Sequence, residues 1–547
     1  MNQSNLFKQT AISLAILGGA LFCNSAAMAN AQYNPADNTV DIAAVDVPNS
    51  RTHLNADTFS AKLRVIDAGG GNLELELMEA TLISTSDDTK RSHFDGVFGQ
   101  VYVPNVDIGG AKFNAVLQLI PNSNPLRFQV KHFHEVAFTG CPAFARQSEN
   151  LAEGCVITGT INQDILLTNN IKWIIDGGVF VGEDNANSAT LSIEPDTRIS
   201  GRSGLDFLQI RRGSKIEAIG TPQHPVIMTG ANELKPGEWG GLLLVGNAPV
   251  NGCSEGVAVC EQTNEAITDE LFGGNNPTDN SGILKYVSIR FAGFEVRPDN
   301  ELNCLTLLGV GSGTTIDFVQ CHRGLDDGFE MFGGTVNLTH LVSTGNDDDA
   351  FDWQTGWDGK AQFVLTVAAS DTGDAGIEAD NNEKDHNSLP RSRGQIANAT
   401  FIGTKAGIDG HGLVLRRGTA ANIYNSVITG FGRSCMTIDN PTTYENAGFP
   451  GNLNGQLTIE NSYAHCDKSF NDQDGLPFKV SDWFNTQPGN VVGDPQLSGF
   501  LPAFGSPLSS SNPPSTNDPF FVKTNYVGAF ADENDDWTKG GWTFGLE

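Results

Sequence analysis

The sequence predicts an all-β chain: a right-handed parallel β-helix (solenoid) preceded by a small two-copy β module. Three observations lead there. Residues 315–357 carry one pattern twice at a shift of 22, so that Ile316 matches Leu338, Val319 matches Leu341, Asp327 matches Asp349, Phe329 matches Phe351 and Glu330 matches Asp352. Each copy is a short apolar run, a Gly/Asn/Asp turn and a second run, a unit that cannot bury its own apolar face and must stack on a copy of itself. The runs are rich in Val, Ile, Phe and Thr and lack a helical period, which makes them strands. Finally, 62 glycines against 8% aromatic residues suit a turn-rich β protein.

Taken in order, residues 1–31 read as a secretory signal. Lys8 precedes an apolar run over 11–22, and Ala27-Met28-Ala29 and Ala29-Asn30-Ala31 offer small-residue cleavage sites. That run is too short to cross a bilayer, and no later run reaches about 18 apolar residues, so the chain is not expected to span a membrane. Phe22 is a poor neighbour for lipid attachment at Cys23. The expectation is therefore an exported protein without a lipid, extracellular or on the outer-membrane surface in preference to the periplasm. Residues 32–135 hold the two-copy module. Val40-x-Ile42-x-x-Val45-x-Val47 returns as Val101-x-Val103-x-x-Val106-x-Ile108, and Phe59-x-Ala61-x-Leu63-x-Val65 returns as Phe113-x-Ala115-x-Leu117-x-Leu119. Leu73-x-Leu75-x-Leu77 then pairs with Leu126-x-Phe128-x-Val130. Strict alternation means half-buried strands, expected to form an antiparallel meander. Its role is open between a binding module and a plain attachment.

Residues 136–165 read as a linker holding a cysteine pair, and the helix is placed at 166–470. Leu191, Ile193 and Ile199 match Leu208, Ile210 and Ile216 at a shift of 17. Insertions at 251–282 and 379–394 interrupt the pattern, and in a solenoid these leave one face as loops. Asn398, Asn425 and Asn461 recur at one place in later units, which suggests a stacked asparagine ladder. Residues 471–547 form a tail in which Trp537 and Trp542 are expected to cap the open end of the helix, where exposed strand edges would otherwise invite aggregation.

Eight cysteines remain after removal of the signal, an even number that in an exported chain reads as disulfides. Sequence neighbours pair most simply: Cys141–Cys155, Cys253–Cys260, Cys304–Cys321 and Cys435–Cys466. No Cys-x-x-Cys is present, and His132, His134, His322 and His340 fall in no ligand spacing. No phosphate loop, nucleophile elbow or HExxH occurs. A formal net charge of −31 excludes nucleic acid as a partner, because such a surface repels phosphate.

The chemistry, if there is any, lies between 326 and 385, where fourteen Asp and Glu stand with two Lys and no Arg. If Phe329 and Phe351 point inward, Glu330 and Asp352 point outward. Ile377-Glu378 continues the pattern one coil later. Stacked coils set such side chains about 4.8 Å apart, where carboxylates cannot all stay ionised unaided. Three readings stay open: turn chemistry along a solvated edge, a calcium site assembled across coils, and a general acid beside an ionised partner. The calcium reading draws on Asp326, Asp327, Glu330, Asp347, Asp349, Asp352 and Glu378.

The runs 173–182, Pro236-Gly237-Glu238-Trp239-Gly240-Gly241-Leu242, 324–334 and Tyr526-Val527-Gly528-Ala529-Phe530 resemble exported bacterial right-handed parallel β-helix repeat proteins of the pectate-lyase-like superfamily. The resemblance covers roughly residues 165–547 and implies the architecture, at a surface or outer membrane, without an assigned activity. Within that superfamily, Asp348-Asp349 is similar to the acidic pair of the polygalacturonase branch. Gly410-His411-Gly412 is similar to its Gly-His-Gly, and Arg416 to its substrate-binding arginine. The likeness implies Asp348, Asp349, His411 and Arg416 as catalytic residues, although 62 residues separate Asp349 from His411 and the branch's Arg-Ile-Lys is absent. The expected function is calcium-assisted binding of a glycan or other extracellular ligand on the acidic face. The alternatives are a polysaccharide lyase or glycoside hydrolase, and a structural or adhesive surface protein. Expected partners are a polysaccharide or an outer-membrane receptor or transporter.

Overall fold

A computed structural model describes residues 30–48, 56–69, 72–83, 91–263, 267, 270–297, 300–404, 410–449 and 455–546. Apart from Asn30 and Ala31, the expected signal lies outside the described residues, as does Cys23. The chain divides into two compact units.

The N-terminal unit is a small barrel-like module of eight strands: β1 (Ala31–Asn34), β2 (Thr39–Pro48), β3 (Ala56–Gly69), β4 (Asn72–Ile83), β5 (Ser92–Asp95), β6 (Gln100–Ile108), β7 (Ala111–Leu119) and β8 (Arg127–Glu135). β1–β4 and β5–β8 are each an antiparallel meander, the two copies read from the repeat. They carry the same bulge, a register shift between Ile42 and Val45 in β2 and between Val103 and Val106 in β6. The meanders join antiparallel through β4 and β8. Two parallel contacts that alternation could not foretell, β1 with β6 and β2 with β5, complete the order. The alternating Val, Leu, Ile and Phe positions face inward and form one core.

The second unit is a parallel β-helix. Each coil places one short strand on a first face and a longer, bent strand on the second and third. Phe329–Phe332 stacks on Leu305–Leu308 and beneath Phe351–Gln354, every residue in register. Thr315–His322, Asn337–Thr344 and Lys360–Val367 stack likewise. Inward positions repeat from coil to coil: Leu305, Phe329 and Phe351 lie above one another in the core, as do Leu307, Met331 and Trp353. Gly282, at φ +117°, restarts the ladder after the 251–281 insertion, because a Cβ there would meet the Ile216 carbonyl of the coil below. Only two α-helices, Pro441–Ala447 and Val480–Thr486, interrupt the strands among the described residues.

The parallel ladder is longer than the sequence expectation of 166–470. It begins at Gly154, inside the stretch read as a linker, where Cys155, Val156 and Ile157 pair with Trp173, Ile174 and Ile175. It reaches Val491, which pairs with Tyr463. The far end was hidden because Val491–Val492 is only two residues long, too short to show a pattern. All four disulfides pair as expected.

The bend between the second and third faces is made by one residue per coil with a left-handed backbone: Tyr286, Phe318, His340, Phe363, Asn398, Asn425 and Asn461, at φ between 47° and 63°. Asparagine tolerates this region and the aromatic residues do not ordinarily adopt it. The rings offset the strain by stacking face to face: Tyr286 on Phe318 (4.5 Å), Phe318 on His340 (4.1 Å) and His340 on Phe363 (4.8 Å). The tail covers this column, and here the expectation of an end cap is corrected. Trp537 packs against Phe318 and His340, and Trp542 against Tyr286 and Phe318, on the flank of the middle coils. The tail thereby covers the stacked rings and accepts from the asparagine amides of the column. At the far end the helix Val480–Thr486 buries Trp483 and Phe484, and Gln487 Oε1 accepts from Ile459 N (2.9 Å).

Candidate metal centre

The acidic residues occupy the outer side of the first face and the corner that precedes it. Alternation along Phe329–Phe332 sends Phe329 and Met331 into the core and Glu330 outward, and the coil above repeats this with Asp352. Parallel register sets Glu330, Asp352 and Glu378 directly above one another.

The corner residues form a second, separate ladder. Asp327 N donates to Asn303 Oδ1 (3.2 Å), Asp349 N to Asp327 Oδ1 (2.9 Å) and Ala375 N to Asp349 Oδ1 (2.6 Å). One oxygen of each acid therefore serves the backbone of the next coil, which is the turn chemistry the sequence allowed for. The idea of a solvated edge fits Asp348 and Asp374, which are exposed, and fails for the acids that stack. Asp327, Glu330, Asp349 and Asp352 are 5%, 5%, 4% and 7% exposed.

Asp327, Glu330 and Asp352 converge. Each offers a carboxylate oxygen within 4.8 Å of the other two. Glu330 is held by Asn303 Nδ2 and by Gln354 Nε2 (3.0 Å). Asp352 Oδ1 has no hydrogen-bond partner. Burial first, and then the neighbouring carboxylates, push Asp327, Asp349 and Asp352 well above the usual carboxylate range. For Asp327 the charged neighbours are Asp326, Asp349, Asp352 and Glu330; for Asp352 they are Glu330, Glu378, Asp349 and Asp380. Two further groups meet the same 4.8 Å limit, Asp326 with Asp327 and Asp348, and Asp348 with Asp349 and Asp374, but Asp348 and Asp374 are exposed.

The remaining sequence candidates separate from this centre. Asp347 lies at the corner beside Thr372 and Arg323, away from the buried trio. Glu378 keeps its place in the ladder but faces Arg416, which also pairs with Asp380 at 2.9 Å. Burial moves the Glu378 carboxyl up to about 7 against the opposing pull of Arg416. Burial disfavours the Arg416 cation, yet Asp380 and Glu378 outweigh that and hold its pKa above the ordinary value. His411 is two coils from Asp349, beyond Ala375, and its Nδ1 lies 2.7 Å from Ser434 Oγ on the far side. The proposed acid pair and histidine are thus not brought together.

Sequence reasoning missed Asn303, Gln354, Asp374 and Asp380. Gln354 sits two residues beyond Asp352, on the same side of one strand, a signal that was available. Asp374 and Asp380 were hidden because the coil after Asp352 is longer: Asp352 pairs with Glu378 at a shift of 26, where Glu330 pairs with Asp352 at 22.

Beside the centre lies a cavity of about 340 Å³ between the 251–263 and 382–388 loops. Phe272, Leu308 and Phe332 give it an apolar wall, and Gln354 joins it to Glu330.

No curated protein and no solved structure matches the chain. The pectate-lyase like beta helix domain matches residues 159–490. That span is more than half of the sequence and holds nearly all of the stacked parallel strands just described, so the chain belongs to the pectate-lyase-like β-helix family.

Proposed function

We propose that this is an exported binding protein that holds a calcium ion on Asp327, Glu330 and Asp352 and uses it to bind an acidic glycan at the surface of the cell or outside it. One observation carries the reading: a buried carboxylate, Asp352, with an oxygen that has no partner, faces two further buried carboxylates within 4.8 Å. Burying one unpaired carboxylate is costly and burying three together is more so, unless they keep protons or gain a cation. The donors are all oxygen, which suits a hard cation. Calcium takes about six to eight such ligands, so water or ligand oxygens complete the shell.

The adjoining cavity supports the choice of a glycan. An apolar wall with amides and hydroxyls around it suits a sugar ring. Its rim carries Lys384 but also Glu383 and Asp385, so an acidic sugar needs the cation as a bridge. Four disulfides and the apolar run at 11–22 support export.

A second reading, a lyase or hydrolase, has one observation in its favour: Arg416 stands beside the acidic ladder. A guanidinium held charged by two carboxylates binds an anion far better than it abstracts a proton. Titration calorimetry with calcium on the full chain and on Asp352→Asn tests the centre. One ion per chain is expected for the first and at least tenfold weaker binding for the second. Incubation with polygalacturonate or alginate, with and without calcium, then separates the readings. Retention on the glycan without new chain ends supports binding, and unsaturated or reducing ends lost in Arg416→Lys overturn it.

A further inference from the structure

The N-terminal module contains a cavity of about 460 Å³ at one end of its eight strands. The other end is filled, because Phe59, Phe94 and Phe128 are all buried there in one cluster. At the open end the wall is aliphatic, and the rings there, Tyr33 and Phe133, stand at the mouth, with Phe133 stacked on Phe113 (4.8 Å) outside the interior. Ile42, Leu63, Leu75, Val103, Ala115 and Leu117 form the buried floor, and half-buried Val40, Val65, Ile108 and Val130 form the wall above it. Leu73 and Phe133 at the rim remain 49% and 48% exposed. An apolar cavity that the described residues leave unfilled forgoes dispersion contacts on every wall. One of about 150 Å³ already takes up benzene, and this volume lies within the range of ligand pockets.

Shape and charge narrow the occupant. The lining follows one strand from Leu63 through Val65 to Asp67, four residue steps at about 3.3 Å each, so the apolar wall extends up to about 13 Å along β3. An apolar wall of that length matches an extended alkyl chain laid along the strands. The polar side chains in the lining are Tyr33, Asn38 and Asp67, all at the mouth. Tyr33 Oη donates to Asn38 Oδ1 (2.9 Å), Asn38 Nδ2 donates to Val65 O (2.9 Å), and Asp67 Oδ1 accepts from Gly69 N (2.8 Å). Among the described residues neither Lys nor Arg lines the cavity, and the Asp67 carboxylate repels an anion at the entrance. We infer that this module binds a single alkyl chain with an uncharged head group, the chain inside the barrel and the head at Asp67. This goes beyond the calcium and glycan reading, which concerns the other unit, and either can fail alone.

The full chain, stripped of lipid, is titrated with dodecanol, dodecanoate and naphthalene. Binding is read by displacement of a fluorescent alkyl probe and by native mass spectrometry. One dodecanol per chain is expected, with dodecanoate and naphthalene at least tenfold weaker. Ala115→Phe and, independently, Val130→Phe fill the cavity and are expected to lose dodecanol at least tenfold with an unchanged or higher melting temperature. Absence of dodecanol binding to the unmodified chain overturns the inference, as does undiminished binding in a folded filled variant. Preference for dodecanoate or for naphthalene overturns it as well, and this selectivity decides even if neither variant folds.

Discussion

Asp327 and Asp349 differ from Glu330 and Asp352 in what their second oxygen can do. The corner pair give one oxygen to a backbone N–H of the next coil, whereas Asp352 has an oxygen with nothing to accept. Removing that carboxylate should help the cation-free protein. Asp352→Asn is expected to raise the melting temperature in chelator and to abolish the rise that calcium gives the unmodified chain, read by calorimetry. At calcium 100-fold above its dissociation constant that rise corresponds to about 2.7 kcal/mol. The pH dependence follows from the raised carboxyls. Below pH 4 both folded and unfolded chains hold these protons. As pH rises, the unfolded chain releases them near pH 4, while the folded chain keeps that of Glu378 to about 7 and those of the buried aspartates well above their ordinary value. The folded state thus binds more protons at these carboxyls, and their contribution to cation-free stability falls from pH 4 upward. Urea titrations in chelator at pH 5 and pH 8 check this, with the lower midpoint expected at pH 8.

At the scale of the element, the left-handed corner column and the tail over it form one structure. Gln320 clamps the tail at Phe544, donating to its carbonyl (2.7 Å) and accepting its N–H (2.8 Å). Gln362 does the same at Val522, at 2.9 and 2.8 Å. Asn398 and Asn425 donate from their amides to the Tyr526 carbonyl. The asparagine ladder is therefore a docking rail as well as a turn device. Trp537→Ala removes a buried ring from this seam and should cost about 3–5 kcal/mol, seen as a lower urea midpoint and faster proteolysis after residue 505. His322 lies under Phe544, its ring centroid 5.1 Å away. Burial, followed by Arg290 and Arg323, brings its pKa down to about 4. Stability from keeping it neutral is complete above about pH 6.5 and is lost as pH falls towards 4, by about 3 kcal/mol in all. Hydrogen exchange over 520–546 should accelerate across that window, and His322→Phe should blunt the change.

Across the whole molecule, stacking makes stability the sum of many near-neighbour terms, so that the loss of one tie acts mainly on its own coils. Cys435–Cys466 closes 31 residues between neighbouring coils near the far end. Replacing both cysteines with serine should cost about 2–4 kcal/mol, measured as a lowered urea midpoint, without moving the calcium affinity of a centre several coils away. The net charge of −31 sets copies of this long β structure against one another by like-charge repulsion.

The sequence by itself determined whatever repeats at a constant spacing. The 22-residue shift dictated stacking, period-two alternation separated Phe329 from Glu330, and the two-copy strands of the module were legible as pairs. Near neighbours in the chain sufficed for the four disulfides. Tertiary structure decided what depends on residues far apart or on coils of unequal length. It sorted the acids into a corner ladder and an outer ladder, and brought Asn303 and Arg416 to them. It turned His411 away to Ser434, and carried the tail onto the flank instead of the end. A repeat fixes which residues share a face. Which atoms meet depends on the length of every intervening loop, and insertions change that length without leaving any periodic trace.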